Sequence, residues 1–522
     1  MTHPGSRRSG RRGRTLAIPV GLALTASLAL LSAVPAAAAP EDATAATAPG
    51  ATAPGAGPAL SYVVNLTGEG KGAVKQARRA IERAGGRVVT AYEQIGVVVA
   101  HSGNPAFAEE VRAQRGVSSV GATRTAPLTA VQTTQEGTTE VLGAAEAARA
   151  AAAAAPGQEP LEPSQWDLRA IKADQAHKIN DGSPDVTVGV IDTGVDDTHP
   201  DLAANFSRGQ SANCVGGVAD TTEGAWRPYP DGSDHGTHVA GTVAAARDGA
   251  GISGVAPGVK VAAIKVSDPG SGLFYTESVV CGFMFAAEKG IEITNNSYYV
   301  DPWYFNCTTD DDQKALVEAI GRASRYAERR GTLNVASAGN ENWDLASDAI
   351  VDDTSPNDTT PVPRTIDPSV CLDLPTQLPG VVSVSAVGPE GFRSYYSSYG
   401  LGVVDVAGPG GDKWQKAATP DANGRVLSTL PGGAYGYKQG TSMAAPHVAG
   451  VAALIKSRHP WASPAQIQLL LKVQADNPGC PEHILDPATG KPIPATTCQT
   501  GALGRTGYYG AGVVNALKAV KW

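Results

Sequence analysis

The sequence predicts an α/β protein: a large domain on a mostly parallel central sheet, preceded by a small α+β segment. Three observations carry this. From Trp166 onward, short apolar runs without polar alternation take turns with helical patterns, as strands buried on both faces between helices do. Residues 60–121 read in the order β-α-β-β-α-β. A chain of 522 residues, 42% hydrophobic and 18% charged, holds enough for two or three domains and a sizeable core.

The elements follow in chain order. Arg7, Arg8, Arg11, Arg12 and Arg14 form a basic stretch, Leu16 to Leu31 is apolar, and Ala36 to Ala39 is a run of small residues. This reads as an export signal over 1–38, cut after Ala38, since Pro40 would sit badly beside the cut bond. The apolar stretch is short for a membrane anchor, and no later one reaches the roughly 18 residues of a span. Residues 39–58, mostly Ala, Pro, Gly and Thr, read as a flexible spacer. Strands are expected at Leu60–Leu66, Arg87–Tyr92, Ile95–Ala100 and Val117–Gly121, and helices at Val74–Ala84 and Pro105–Arg115. That order is ferredoxin-like and occupies 59–127. Residues 128–163 lack aromatics, carry an alanine-rich run from Leu142 to Ala155, and read as a linker. The main domain spans 164–522. Its clearest strands are Val186–Ile191, Val259–Val266, Ile291–Asn295 and Leu333–Ser337, with helices after His235, Glu277, Gln313 and Ser442.

Charge and cysteines narrow the function classes. The first 38 residues hold five arginines and no acid, so the remainder is more acidic than the formal net charge of −8. An acidic body lacks the basic face that nucleic acid requires. The six cysteines, Cys214, Cys281, Cys307, Cys371, Cys480 and Cys498, show no Cys-x-x-Cys zinc spacing. In an exported chain they suggest disulfides. Fifteen pairings exist. Sequential neighbours are the expectation, above all Cys480 with Cys498, which closes a short Pro- and Thr-rich loop.

Three segments carry chemistry. In Val188-Gly189-Val190-Ile191-Asp192-Thr193-Gly194 an apolar strand ends in an acid and a glycine turn. In Asp234-His235-Gly236-Thr237-His238-Val239-Ala240-Gly241-Thr242 the small residues suit a closely packed helix with His235 at its start. His235 and His238 are three apart and lack the Glu of a His-Glu-x-x-His zinc site, so His238 reads as structural support. In Gly440-Thr441-Ser442-Met443-Ala444-Ala445-Pro446-His447 a loop meets a helix. Ser442 suits an N-cap, and Pro446 suits a first turn. A helix start also offers free N–H groups to a developing anion.

In the order Asp, His, Ser, these segments resemble the signatures of the subtilisin-like serine peptidases (peptidase S8 family). The resemblance covers about 166–522 and implies a three-layer fold with Asp192, His235 and Ser442 as catalytic triad. Val335-Ala336-Ser337-Ala338-Gly339-Asn340-Glu341 resembles the family's oxyanion-hole segment, with Asn340 as donor beside the Ser442 N–H. Asn295-Asn296-Ser297-Tyr298-Tyr299 resembles the strand that pairs with substrate. The resemblance thus implies that Asn295, Ser297, Tyr298 and Tyr299 bind substrate and that Ser337, Ala338 and Gly339 form the opposite wall. Tyr298 and Tyr299 depart from the family, which has small residues there, and are expected to narrow the cleft. Asp201 and the loop 246–252, with Asp248, match a family calcium site, so a structural Ca²⁺ is expected while the chemistry requires no cofactor.

The same resemblance makes 59–127 an inhibitory, folding-assisting propeptide and implies self-cleavage between Arg124 and Ser164. The segment Tyr508 to Asn515 resembles the family's closing strand and turn, with no wall-sorting signal after it. The expectation is a secreted, monomeric, broadly acting endopeptidase, free of membrane and nucleic acid, whose partners are protein substrates and its own propeptide. The alternatives are a dedicated processor of one precursor and a latent propeptide-bound complex. A catalytically silent binding protein would lack a triad residue, and none is missing.

Overall fold

The computed structural model describes residues 57–128, 138–230 and 232–521; the export signal and most of the spacer lie outside them. Among the described residues no helix is long and apolar enough to cross a membrane.

The N-terminal segment runs β1 (Leu60–Leu66), α1 (Gly70–Arg83), β2 (Gly86–Tyr92), β3 (Val97–Ser102), α2 (Phe107–Arg112) and β4 (Val117–Ala122). All pairings are antiparallel, in the order β2-β3-β1-β4. Helix α1 starts a turn earlier than its apolar spacing suggests, because that first turn is largely exposed and carries no pattern. Helix α2 is shorter than expected and ends well before Gly116, whose φ of 90° no helix holds. Ile95 sits in the β2–β3 turn rather than in a strand, just before Gly96 with φ 60°.

Part of the expected linker is ordered. Glu140–Val141 (β5) adds to a sheet edge, and Ala144–Ala153 forms helix α3. Leu142, Ala147 and Ala150 pack on Leu161, Ala245, Ile252, Leu427 and Tyr437. Small alanines let the helix lie close, which a composition-based linker reading does not foresee.

The main body holds a seven-stranded, wholly parallel sheet. Its strands are β6 (Thr187–Asp192), β7 (Ala212–Asn213), β8 (Lys260–Lys265), β9 (Ile293–Asn296), β11 (Leu333–Ser337), β13 (Val381–Val387) and β14 (Val406–Pro409). They lie in the order β14-β13-β11-β9-β6-β8-β7. Between β9 and β11, Phe305–Cys307 (β10) pairs antiparallel with Cys371–Asp373 (β12). Helices cover both faces: α4 (His235–Ala244) and α7 (Thr441–Arg458) on one core, α5 (Thr276–Glu288) and α6 (Asp311–Arg329) on the other. Val426–Leu430 (β15) and Ala434–Lys438 (β16) form the hairpin whose edge receives β5.

The N-terminal sheet lies on α5 and α6. Val63, Ile95 and Val97 join their core. Arg322 caps the carbonyls of Leu66 and Ile95 at 2.8 and 2.9 Å. At Gly121 a Cβ would stand 2.2 Å from the Asp312 carbonyl oxygen, so only glycine permits this approach. Three disulfides join Cys214 to Cys281, Cys307 to Cys371 and Cys480 to Cys498, the sequential pairing.

Candidate active site

Three adjacent strands, β6, β9 and β11, end at one edge of the sheet, where ligands of parallel sheets bind. Strand β6 delivers Asp192, β9 leads into Ser297-Tyr298-Tyr299, and β11 leads into Gly339-Asn340. Helices α4 and α7 start there with His235 and Ser442. These pieces line a cleft of about 960 Å³.

Asp192 is fully buried at its strand end. Its carboxylate faces His235 Nδ1 at 2.8 and 3.0 Å, and Oδ1 also accepts the Thr193 N–H at 2.7 Å. This leaves the Nε2 edge of the ring as the one that can exchange protons with substrate. Gly236 N–H donates to Thr193 Oγ1 at 3.0 Å, locking the histidine helix to the aspartate loop. A Cβ on Gly236 would lie 2.3 Å from the Gly194 oxygen, and one on Gly241 2.2 Å from Thr429 Oγ1. The small residues therefore set how near His235 comes to Asp192. His238 points away, its Nε2 3.2 Å from the carbonyls of Val426 and Gly436. Its part is structural.

Ser442 is the second residue of α7; Gly440, not the serine, is the N-cap. Its hydroxyl donates to the Ser297 carbonyl at 3.2 Å. Pro446 falls in the second turn, not the first. Lacking an N–H, it leaves the Ser442 carbonyl without its i+4 donor, and Ser297 Oγ supplies one at 2.9 Å. The proline thus couples the nucleophile's helix to the strand wall. Asn340 Oδ1 accepts from Thr441 N–H and Oγ1–H at 2.9 and 3.0 Å, which turns the side-chain NH₂ outward as a donor beside Ser442. The Ser442 N–H lies in the first helical turn, which lacks intrahelical acceptors.

Ser297, Tyr298, Tyr299, Ser337 and Gly339 line the cleft. Asn295 and Ala338 are not among the lining residues; both are fully buried behind the wall. Asn295 instead donates to Ser297 Oγ at 2.8 Å. Tyr298 stacks on Phe274 with ring centres 4.8 Å apart, and Tyr299 on Tyr304 at 4.2 Å. Aromatic rings therefore occupy part of the cleft wall. Sequence reading passed over Tyr304, Glu341 and Asp373, which also line it.

Asp201 and the 246–252 loop do meet. Asp201 is buried, and its two oxygens accept from the Ile252 N–H and the Tyr435 hydroxyl, each at 2.9 Å. Burial, against these two hydrogen bonds, and the nearby charge of Asp248 push its carboxyl up to about 6. Each carboxylate oxygen keeps a second lone pair. Among the described residues no group of three or more His, Cys, Asp or Glu side chains could hold a metal.

The family model described as the subtilase family matches residues 183–508. Subtilisin NAT of Bacillus subtilis subsp. natto is 32% identical over 357 residues, 68% of this chain and 71% of that one. Subtilisin Savinase of Lederbergia lenta is 30% identical over 356 residues, 68% of this chain and 98% of that one. Among solved structures, the epidermin leader peptide processing serine protease of Staphylococcus aureus superposes with a TM-score of 0.60 at 22% identity, covering 89% of this chain and 98% of that one. Fervidolysin from Fervidobacterium pennivorans does so at 0.58 and 24% identity, covering 91% and 62%.

Proposed function

Since the chain belongs to the subtilase family of serine peptidases, we propose that it is a secreted endopeptidase that cleaves proteins through an acyl-enzyme and matures by cutting itself. The observation that carries this is the convergence of Asp192, His235, Ser442 and Asn340 on one cleft. Ser442 Oγ attacks the peptide carbonyl as His235 Nε2 takes its proton. Asp192 holds the ring with Nδ1–H inward and stabilises the imidazolium. The tetrahedral oxyanion takes hydrogen bonds from Asn340 Nδ2 and the Ser442 N–H. His235 then protonates the leaving amine, and water repeats the cycle on the ester. Extended substrate adds its main chain along Ser297–Tyr299 as a strand.

The N-terminal α+β segment reads as the inhibitory propeptide. Its end reaches the cleft side of the body: Thr125 and Ala126 N–H donate to Asp358 at 2.7 and 3.0 Å. Farther along, Thr139 lines the cleft and donates to Asp234, next to His235, at 2.9 Å. Broad extracellular proteolysis is the favoured role. The stacked tyrosines on the wall support a second reading, a processor of one precursor, in which these rings would limit what enters.

Intact mass of the secreted protein and of its Ser442→Ala variant, beside casein hydrolysis, tests this. The wild type is expected trimmed and active, the variant long and inert. Equal trimming with no casein hydrolysis would assign maturation to another protease. Cleavage of a single site in a panel of proteins would favour the dedicated processor, and a trimmed but silent complex the latent form. A structural Ca²⁺ at Asp201 and Asp248 belongs to the same reading. Chelation is expected to lower the melting temperature and added calcium to restore it; indifference to both would remove the ion.

A further inference from the structure

The wall of the cleft beside Asn340 hides a carboxyl group whose one oxygen is hydrogen-bonded by Thr376 and whose other is left over. Asp373 is only 1% exposed, yet it lines the cleft. Its Oδ1 accepts no hydrogen bond. An oxygen buried this way has given up water without a replacement donor, which is unfavourable and more so when charged. Glu341, on the same wall, takes the Asn340 N–H on Oε2 at 2.7 Å and the Tyr304 hydroxyl on the same oxygen. Burial, then the negative charge of Glu341, hold the Asp373 carboxyl well above the usual carboxylate range. Two acids thus face a space without a cation of its own: among the described residues lining the cleft the one lysine or arginine is Lys438, and it is paired with Asp234 at 2.6 Å.

The position of Asp373 is built, not incidental. Strand β12 ends on it, paired with Phe305, and the Cys307–Cys371 disulfide braces the pair two residues away. Thr376 Oγ1 donates to the Ser337 carbonyl at 2.7 Å, tying this segment to the wall that leads to Asn340. Gly339 has φ 95°, and a Cβ there would lie 2.0 Å from the Tyr304 hydroxyl, so the wall is as thin as a backbone allows between the oxyanion donor and this recess. A side chain entering here belongs to the residue whose carbonyl is attacked.

We propose that Asp373, seconded by Glu341, forms the floor of the primary specificity pocket and selects an arginine or lysine immediately before the scissile bond. A guanidinium matches a carboxylate as a fork and carries the missing charge. The inference rests on the peptidase reading above and deepens it: the substrate class is basic peptide sites.

The test uses enzyme recovered from the medium after expression of the full chain, and peptides alike except for Arg, Lys, Leu, Phe or Glu before the cut bond. Expected is a kcat/KM for Arg or Lys above that for Leu by about 10²-fold, the scale set by loss of a buried charge partner. In Asp373→Asn this Arg-to-Leu ratio should drop by a similar factor. Benzamidine, a small amidinium probe, should compete with substrate in the wild type and lose that effect in the variant. If Leu, Phe or Glu is preferred, or if the ratio survives Asp373→Asn, the pocket assignment is overturned while the peptidase reading stands. If neither casein nor any peptide is cut, both fall. Should the variant not fold, the wild-type panel and benzamidine competition decide alone.

Discussion

Single residues do opposite things in the two histidines of α4. His235 is the proton carrier of the proposed mechanism, whereas His238, three positions on, is walled off from water. Burial, reinforced by Lys438 and His235 nearby, brings His238 down to about 3. Its ordinary value, held in the unfolded chain, is near 6.5. The folded state therefore refuses a proton that the unfolded chain accepts. Its contribution is complete above about 6.5 and is lost as pH falls toward 3. In a Ser442→Ala background, which prevents self-digestion, His238→Asn should be less stable than its parent at pH 7. The gap in unfolding free energy should shrink by about 1.4 kcal/mol per unit between pH 6 and 4. A gap independent of pH would mean that His238 stabilises by packing alone. A second buried histidine, His447, sits 3.0 Å from Asp167 Oδ2 and takes no part in the cleft. The residue types of the triad were legible because each stands in a contiguous segment of turn and small residues that serves one purpose. Asp373 was not, because the pairing of β12 with β10 and the Cys307–Cys371 disulfide bring it beside Asn340 from farther along the chain.

At the scale of elements, the N-terminal segment is held by its sheet face and by an ion pair at its end. Arg124, just past β4, pairs with Glu277 of α5 at 2.8 Å and lies over the Tyr275 ring at 3.8 Å. Both charges are nearly sealed off, with side chains 9% and 1% exposed. Removing one partner of such a pair costs about 3–5 kcal/mol, because the other charge stays buried. Arg124→Ala should therefore let the cleaved N-terminal fragment separate from the body on gel filtration, at concentrations where the wild-type fragment co-elutes. Co-elution in the variant would show that the sheet face carries the binding. Element type and order along the chain were largely legible, since strand and helix periods differ sharply in the apolar pattern. Strands β7, β13 and β14 escaped. Strand β7 has two residues, β14 has four including Gly and Pro, and β13 follows the long stretch 338–380, which masks its place in the alternation. Helix α3 escaped as a docked element because alanine reads alike in linkers and in close-packed helices.

For the whole molecule, the two parts differ in how they are joined. All six cysteines lie between residues 214 and 498, and every bridge closes within the body. No bridge ties the N-terminal sheet to it. The peptide chain is the one covalent link between them, so a single hydrolysis turns a tethered partner into a separate solute. Before the cut, the local concentration of that partner is fixed by the tether and is independent of how much protein is present. Afterwards its occupancy follows mass action. On the secreted-zymogen reading proposed above, spreading into a large volume outside the cell would then release the N-terminal part from the body without further chemistry, and a crowded secretory compartment would keep the two together.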